Sequence, residues 1–187
     1  MRFSLLDSIG NTPLVELTTI VPPGSARVLV KLESMNPSGS SKDRSALSMI
    51  ERAEADGRLQ PGHRIVEMSG GSTGTALAMI ASIKGYDCTI VTSDAFADEK
   101  LKAIAAFGAD LDIIRGEHGK ATYPELFVQL IARVRELAEQ PGTFYTDQMV
   151  NPDNPRGYMN LGRELVAQTQ GEVDAFVMAC GSGGCFS

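Results

Sequence analysis

The sequence has no tryptophan, two histidines and three cysteines in 187 residues, and each shortage removes a class of function. His63 and His118 stand far apart in the chain, so a dedicated zinc site is not supported. Cys88, Cys180 and Cys185 are odd in number and lack CxxC spacing, which reads as reduced thiols in a cytoplasmic protein. Basic charge is also short. The 17 Lys and Arg against 23 Asp and Glu leave a net charge of −6 with no basic stripe, so no nucleic-acid partner is expected. No apolar run approaches the ~20 residues of a membrane span, and the opening MRFSLLDSIGNTP has too short an apolar centre for a secretory signal. Neither a Walker A pattern nor a full GxGxxG is present, which leaves nucleotide binding without support.

What is present is alternation. Short extended segments are read at 14–17 and 27–32, followed by a helix over 43–55. Strands at 63–68, 88–92, 111–115, 143–145 and 173–178 then alternate with helices at 73–84, 97–107, 124–139 and 153–169. Gly57, Gly85 and Gly108 stand where helices must stop, and Pro155 marks a place for a kink. Such alternation implies βαβ units: an α/β fold with parallel sheets and helices on both faces. The chain closes on Gly181-Ser182-Gly183-Gly184-Cys185-Phe186-Ser187, after a predicted strand and without the helix that normally follows. The end therefore reads as an interruption.

Ligands of open α/β sheets bind outside the carboxyl ends of the strands. Three Gly/Ser-rich loops fall at such ends, 38–42, 69–74 and 181–184, and their backbone N–H groups can converge on an anion. The stretch Asn36-Pro37-Ser38-Gly39-Ser40-Ser41-Lys42-Asp43-Arg44 ends in one lysine at a helix start. Lys42 is either a surface charge or a reactive amine of the kind that anchors an aldehyde cofactor. Gly70-Gly71-Ser72-Thr73-Gly74 also matches the GxSxG nucleophile elbow between a strand and a helix, with His118 and Asp94 or Asp110 as the partners it would need. Cys88 and Cys180 read as core, Cys185 as nearer a pocket, and Asp43 and Arg44 as braces of the turn.

Five motifs carry a resemblance. Ile9-Gly10-Asn11-Thr12-Pro13-Leu14, the Asn36 to Arg44 stretch, Gly71-x-Thr73-Gly74, Asp147-Gln148 followed by Asn151-Pro152, and Gly181-Ser182-Gly183-Gly184 occur in the order and at the separations of the cysteine synthase family. That family is the fold type II group of pyridoxal-phosphate enzymes, which also contains cystathionine β-synthase. The resemblance runs from about residue 8 to the last residue.

The resemblance implies specific roles. Lys42 matches the lysine that forms the Schiff base with pyridoxal 5'-phosphate and later moves the substrate α-proton. Gly181, Ser182, Gly183, Gly184 and Cys185 match the phosphate cradle, with Ser182 and Cys185 where the family usually has threonines. Ser69, Gly70, Gly71 and Thr73 match the loop that grips the substrate carboxylate, and Gln148 matches a glutamine that shares the task. Two departures stand out: Ser72 replaces an asparagine that bonds the cofactor ring hydroxyl, and Gly70 replaces a serine. The implied architecture is two domains, a small one at 45–148 and a larger, incomplete one made of 1–44 plus 149–187, with the site between them. The implied reaction is β-replacement on an activated serine such as O-acetylserine, sulfide entering to give L-cysteine, in a cytoplasmic homodimer. The family also implies alternatives: another β-elimination or β-replacement lyase, or a catalytically incomplete fragment that only binds a partner.

Overall fold

A computed structural model describes residues 3–186; Met1, Arg2 and Ser187, which belong to the opening and closing stretches read above, lie outside the described residues. After a short 3-10 helix at Leu5–Ser8 comes a two-stranded antiparallel ribbon, β1 (Leu14–Glu16) and β2 (Leu29–Lys31), with Leu14 paired to Lys31 and Glu16 to Leu29. After the turn comes α1 (Lys42–Ala55). Strands and helices then alternate: β3 (Arg64–Met68), α2 (Ser72–Lys84), β4 (Asp87–Ser93), α3 (Asp98–Ala106), β5 (Asp110–Ile114), α4 (Pro124–Ala138), β6 (Thr143–Tyr145) and α5 (Asp153–Thr169). β3 to β6 form one parallel sheet in the order β5-β4-β3-β6.

The two-residue period of the strands decides which face each side chain serves. Ile65 and Ile90 enter the core shared with Ile50, Leu77, Ile80 and Ile104 of α1, α2 and α3. Val66 and Val91 enter the opposite core, filled by Leu126, Leu130, Val134 and Leu137. Those four lie on one stripe of α4, and Pro124 takes its first position, where a missing N–H breaks no helical bond. α2 ends where Gly85 adopts the left-handed conformation (φ 79°).

The sequence-based expectation of an α/β fold with helices on both faces is met. The steps from β3 to β4 to β5 carry their helices on one face, and the return from β5 to β6 carries α4 on the other. One crossover hand requires that change of face. β6 therefore lands on the far side of β3 from β4, so the β3/β6 pair is the switch point of the sheet. The loops leaving these two strands, 69–71 and 146–152, rise side by side.

Three expectations are corrected. Residues 173–178 form no strand, because a strand exists by its ladder to a neighbour and no described strand pairs with them; Val177 is 92% exposed. Cys180, just beyond, is consequently exposed and not core, whereas Cys88 is buried as expected. Pro155 sits in the first turn of α5, where its missing N–H has no intrahelical acceptor to lose, so it supplies no reason for a kink.

Candidate active site

The turn before α1 is closed by its own side chains. Gly39 is left-handed (φ 88°), and its N–H donates to Asn36 O at 2.8 Å. Buried Asp43 accepts from Ser38 N–H at 2.8 Å and from the Ser38 hydroxyl; burial pushes its carboxyl up against those bonds. Arg44 is held by other partners, its guanidinium donating to Glu33 (2.7 and 2.9 Å) and to Glu164 of α5 (2.7 and 2.8 Å). Glu164 also accepts from Lys31 Nζ at 2.7 Å and Asn11 N–H at 2.9 Å, while Gly10 N–H donates to Asn36 Oδ1 at 2.8 Å. The Ile9 to Leu14 and Asn36 to Arg44 motifs are thus one ionic joint. Asp43 and Arg44 are braces, as expected from the sequence.

Immediately before those two anchored residues, Lys42 is half-buried. Its Nζ donates to the Tyr158 hydroxyl at 3.3 Å and lies 5.8 Å from that ring's centre. Among the described residues it has no carboxylate partner, so the amine is not committed to an ion pair.

At the switch point, Ser69 Oγ accepts from Gly71 N–H at 3.2 Å and Gly74 N–H at 3.0 Å, which staples the loop over the start of α2. The first helical residue is Ser72, which is exposed and whose hydroxyl has no partner among the described residues. The cap position belongs to Gly71, so Ser72 is not the N-cap residue its type suggests; Ser69 does that work. Thr73 donates its hydroxyl proton to Gln148 Oε1 at 2.6 Å across the switch, and Gln148 Nε2 donates to Met68 O at 3.3 Å.

Asn154, in the first turn of α5, joins this pair to the terminal Gly-rich loop. Its Nδ2 donates to Gln148 O at 2.6 Å and to Ser182 Oγ at 3.0 Å. Gly184 is packed against it: a Cβ at 184 would stand 2.5 Å from Asn154 Oδ1 and would have to displace that side chain. Asn154 Oδ1 is itself buried and has no partner among the described residues. Burial raises the Cys185 thiol, and the Lys42 ammonium pulls it back, which places this loop within the field of Lys42. The N–H groups of Ser182, Gly184 and Cys185 have no acceptor among the described residues. An uncommitted lysine and a side-chain-poor loop with open N–H donors together fit an anionic aldehyde cofactor. Asn154 and Tyr158 were not read from the sequence; the signal for Asn154 was an asparagine three residues after Asn151 at a helix start.

The substitution at Gly70 has a structural partner. A Cβ on Gly70 would stand 2.3 Å from ring atoms of Phe96, which packs edge-on against Phe127 of α4 with centres 6.4 Å apart. Phe96 occupies the space a residue-70 side chain would need and props the loop against α4. Gly70→Ser is expected to cost about 1–3 kcal/mol by overpacking, and Phe96→Ala in the same chain should recover part of it. A double-mutant cycle in urea checks this; additive losses would show that the two residues do not share the space.

The elbow reading is not assembled. Ser72 contacts no histidine, His118 packs on Tyr123 (centres 4.7 Å apart), and His63 Nδ1 accepts from Gln60 N–H.

Comparison with known proteins agrees with this geometry. Residues 5–187 match the family described as pyridoxal-phosphate dependent enzyme. Cysteine synthase of Staphylococcus aureus strain Mu50 is 39% identical over 181 residues, covering 96% of this chain and 56% of that protein. Cysteine synthase B of Escherichia coli strain K12 is 40% identical, covering 97% and 58%. The crystal structure of O-ureido-L-serine synthase superposes with a TM-score of 0.89 at 38% identity, covering 100% of this chain and 57% of that one. Cysteine synthase of Entamoeba histolytica gives 0.88 at 34%, covering 99% and 54%. The chain thus spans a little over half the length of the relatives it matches. On its sequence and its fold alike, it belongs to the pyridoxal-phosphate dependent enzyme family.

Proposed function

We propose that this chain carries the cofactor lysine and the carboxylate-binding loops of an enzyme that replaces the β-substituent of an activated serine, such as O-acetylserine, with sulfide to give L-cysteine. The observation that carries the reading is the continuous hydrogen-bonded path Thr73–Gln148–Asn154–Ser182, which ties both candidate ligand loops into one site. Lys42 is the residue that would hold pyridoxal phosphate and then, displaced by the substrate amine, take the α-proton at its Nζ. Gly181, Ser182, Gly183, Gly184 and Cys185 would hold the phosphate, and Ser72 the ring hydroxyl. When bound, the cofactor supplies a sink for the electron pair left by the α-proton. Thr73 and Gln148 satisfy each other in this structure; an incoming carboxylate takes over the Thr73 hydroxyl proton. Ser69 keeps its O–H as a donor, and Gly70 adds its backbone N–H, since that of Gly71 already donates to Ser69 Oγ. The names of the relatives support cysteine formation, and the likeness to O-ureido-L-serine synthase favours, as a second reading, the same replacement with a different entering group.

We also infer the domain division 45–148 against 1–44 plus 149–187, supported by the four-stranded sheet lying wholly within the first segment. Three free thiols support a cytoplasmic setting, and a homodimer is the family's habit. No described helix is long and apolar enough to cross a membrane.

The test is the visible absorbance on adding pyridoxal phosphate. We expect a band that Lys42→Ala abolishes, and cysteine on further addition of O-acetylserine and sulfide. A band indifferent to Lys42 sinks the assignment of Lys42. A normal band without cysteine shifts the reading to another donor or entering group.

A further inference from the structure

Glu67 is an acidic side chain that none of the roles above uses, and it is 1% exposed in the middle of the parallel sheet. It accepts from Met68 N–H at 2.9 Å on Oε1, and from the Thr146 hydroxyl at 2.5 Å and Gln148 N–H at 3.1 Å on Oε2. Two of these donors lie on the loop leaving β6, across the switch point from Glu67. The carboxyl group therefore fastens the exit loop of one strand to the end of its neighbour. The residue it fastens is the one whose side chain holds the Thr73 hydroxyl at 2.6 Å.

We propose that Glu67 is a positioning residue, whose carboxyl group clamps Gln148 and through it sets how Thr73 and Gln148 meet the substrate carboxylate. The proposal rests on the reading of Thr73 and Gln148 as carboxylate ligands. The clamp has two states. Ionised, Glu67 accepts all three bonds, and the one from Gln148 N–H is charge-assisted. Protonated, its O–H donates to Thr146 Oγ1, and the Thr146 hydroxyl turns to Val66 O, which already lies 3.4 Å away. Every group stays satisfied, but the bond to Gln148 weakens to a neutral one. Burial pushes this carboxyl up to about 7 against the bonds from Thr146, Gln148 and Met68, with Asp147 adding to the rise. The titratable groups coupled to it are Asp147 on the exit loop, Tyr145 on β6 and Cys88 on β4. Burial, with Glu67's charge contributing, raises the last two, so both remain neutral near pH 7.

The experiment is a pH titration of the protein by NMR, which needs no turnover. The amide protons of Met68 and Gln148 should move with one midpoint near neutrality, and the Thr73 signals should follow the same midpoint. Glu67→Gln should abolish all three titrations. Thr146→Val, which removes a donor to the ionised form, should raise the midpoint. With cofactor and an amino-acid donor, KM should fall several-fold as pH rises through that midpoint while kcat holds, and Glu67→Gln should flatten the KM profile. No titration of Gln148 near neutrality overturns the clamp. So does a titration that leaves Thr73 unmoved, because Glu67 would then be only a structural bond. If the coupled titration is seen but no donor binds, the clamp stands and the reading of the reaction fails.

Discussion

Arg44→Met should lower the stability at pH 7 by about 3–5 kcal/mol, the loss typical when one partner of a buried ion pair is removed and the other is left behind. Here two carboxylates are left. Arg44 is only 5% exposed, and its fork is divided between Glu33 and Glu164, which are themselves largely withdrawn from water. Lys31 still reaches Glu164 at 2.7 Å, so Glu33 is the more exposed to the loss. Arg44→Lys should fall between the two, since a point charge cannot serve two carboxylates in one plane.

The pH dependence gives the mutation a signature. For Glu164, burial raises the carboxyl, but the bonds from Arg44, Lys31 and Asn11 N–H outweigh it and bring it from 4.5 down to about 2. Glu33 is lowered too, by Arg44, Thr12 and Asn36 against its own burial. Such depressed acids contribute stability that is complete above about pH 4.5 and lost as pH falls toward 2. Without Arg44 the burial of Glu33, its largest single influence, is opposed only by the bonds from Thr12 and Asn36, so the balance moves toward the proton. The cost of Arg44→Met should therefore be greatest at neutral pH and shrink on acidification. Urea unfolding followed by circular dichroism at pH 7 and pH 3.5 measures this, and a cost equal at both would refute the ionic account.

Much of this was legible before the structure. β6 and α5 fall at the residues read from the pattern, because each is bounded by strong punctuation: Pro141-Gly142 before one, Asn151-Pro152 before the other. Residues 173–178 were misread because an apolar β-branched run specifies a strand only where a neighbour completes the ladder. Arg44 was legible as a brace, but its partners Glu33 and Glu164 stand 11 and 120 residues away, and only the packing of α5 on α1 unites them. Glu67 carried a signal that went unread: an acid inside the apolar run Ile65 to Met68 must find donors or change its protonation. Gly70 was visible as a departure from the family, yet its reason, Phe96, lies on another loop.

Gly157 shows how the same packing delivers the lysine. A Cβ there would stand 2.5 Å from Arg44 O and 2.7 Å from Ser45 Cα, so α5 can approach α1 only because residue 157 has no side chain. The atoms it would meet are backbone, fixed in a helix, and cannot turn aside. In a helix interior, Gly→Ala by itself favours the fold by up to about 1 kcal/mol. At Gly162 of α5 nothing lies within 4 Å of the added methyl, and Gly162→Ala should show that gain. At Gly157 the clash should reverse the sign, for a net loss of about 2 kcal/mol or more as the helices are pushed apart. The displacement also falls where Tyr158 meets Lys42 and Asn154 meets Gln148 and Ser182. Gly157→Ala should therefore weaken the Lys42-dependent absorbance at protein concentrations where Gly162→Ala leaves it intact. Thermal unfolding of the two variants side by side, with pyridoxal phosphate titrated into each, makes the comparison. If both alanines stabilise, the close approach of the helices is not what sets Lys42 in place.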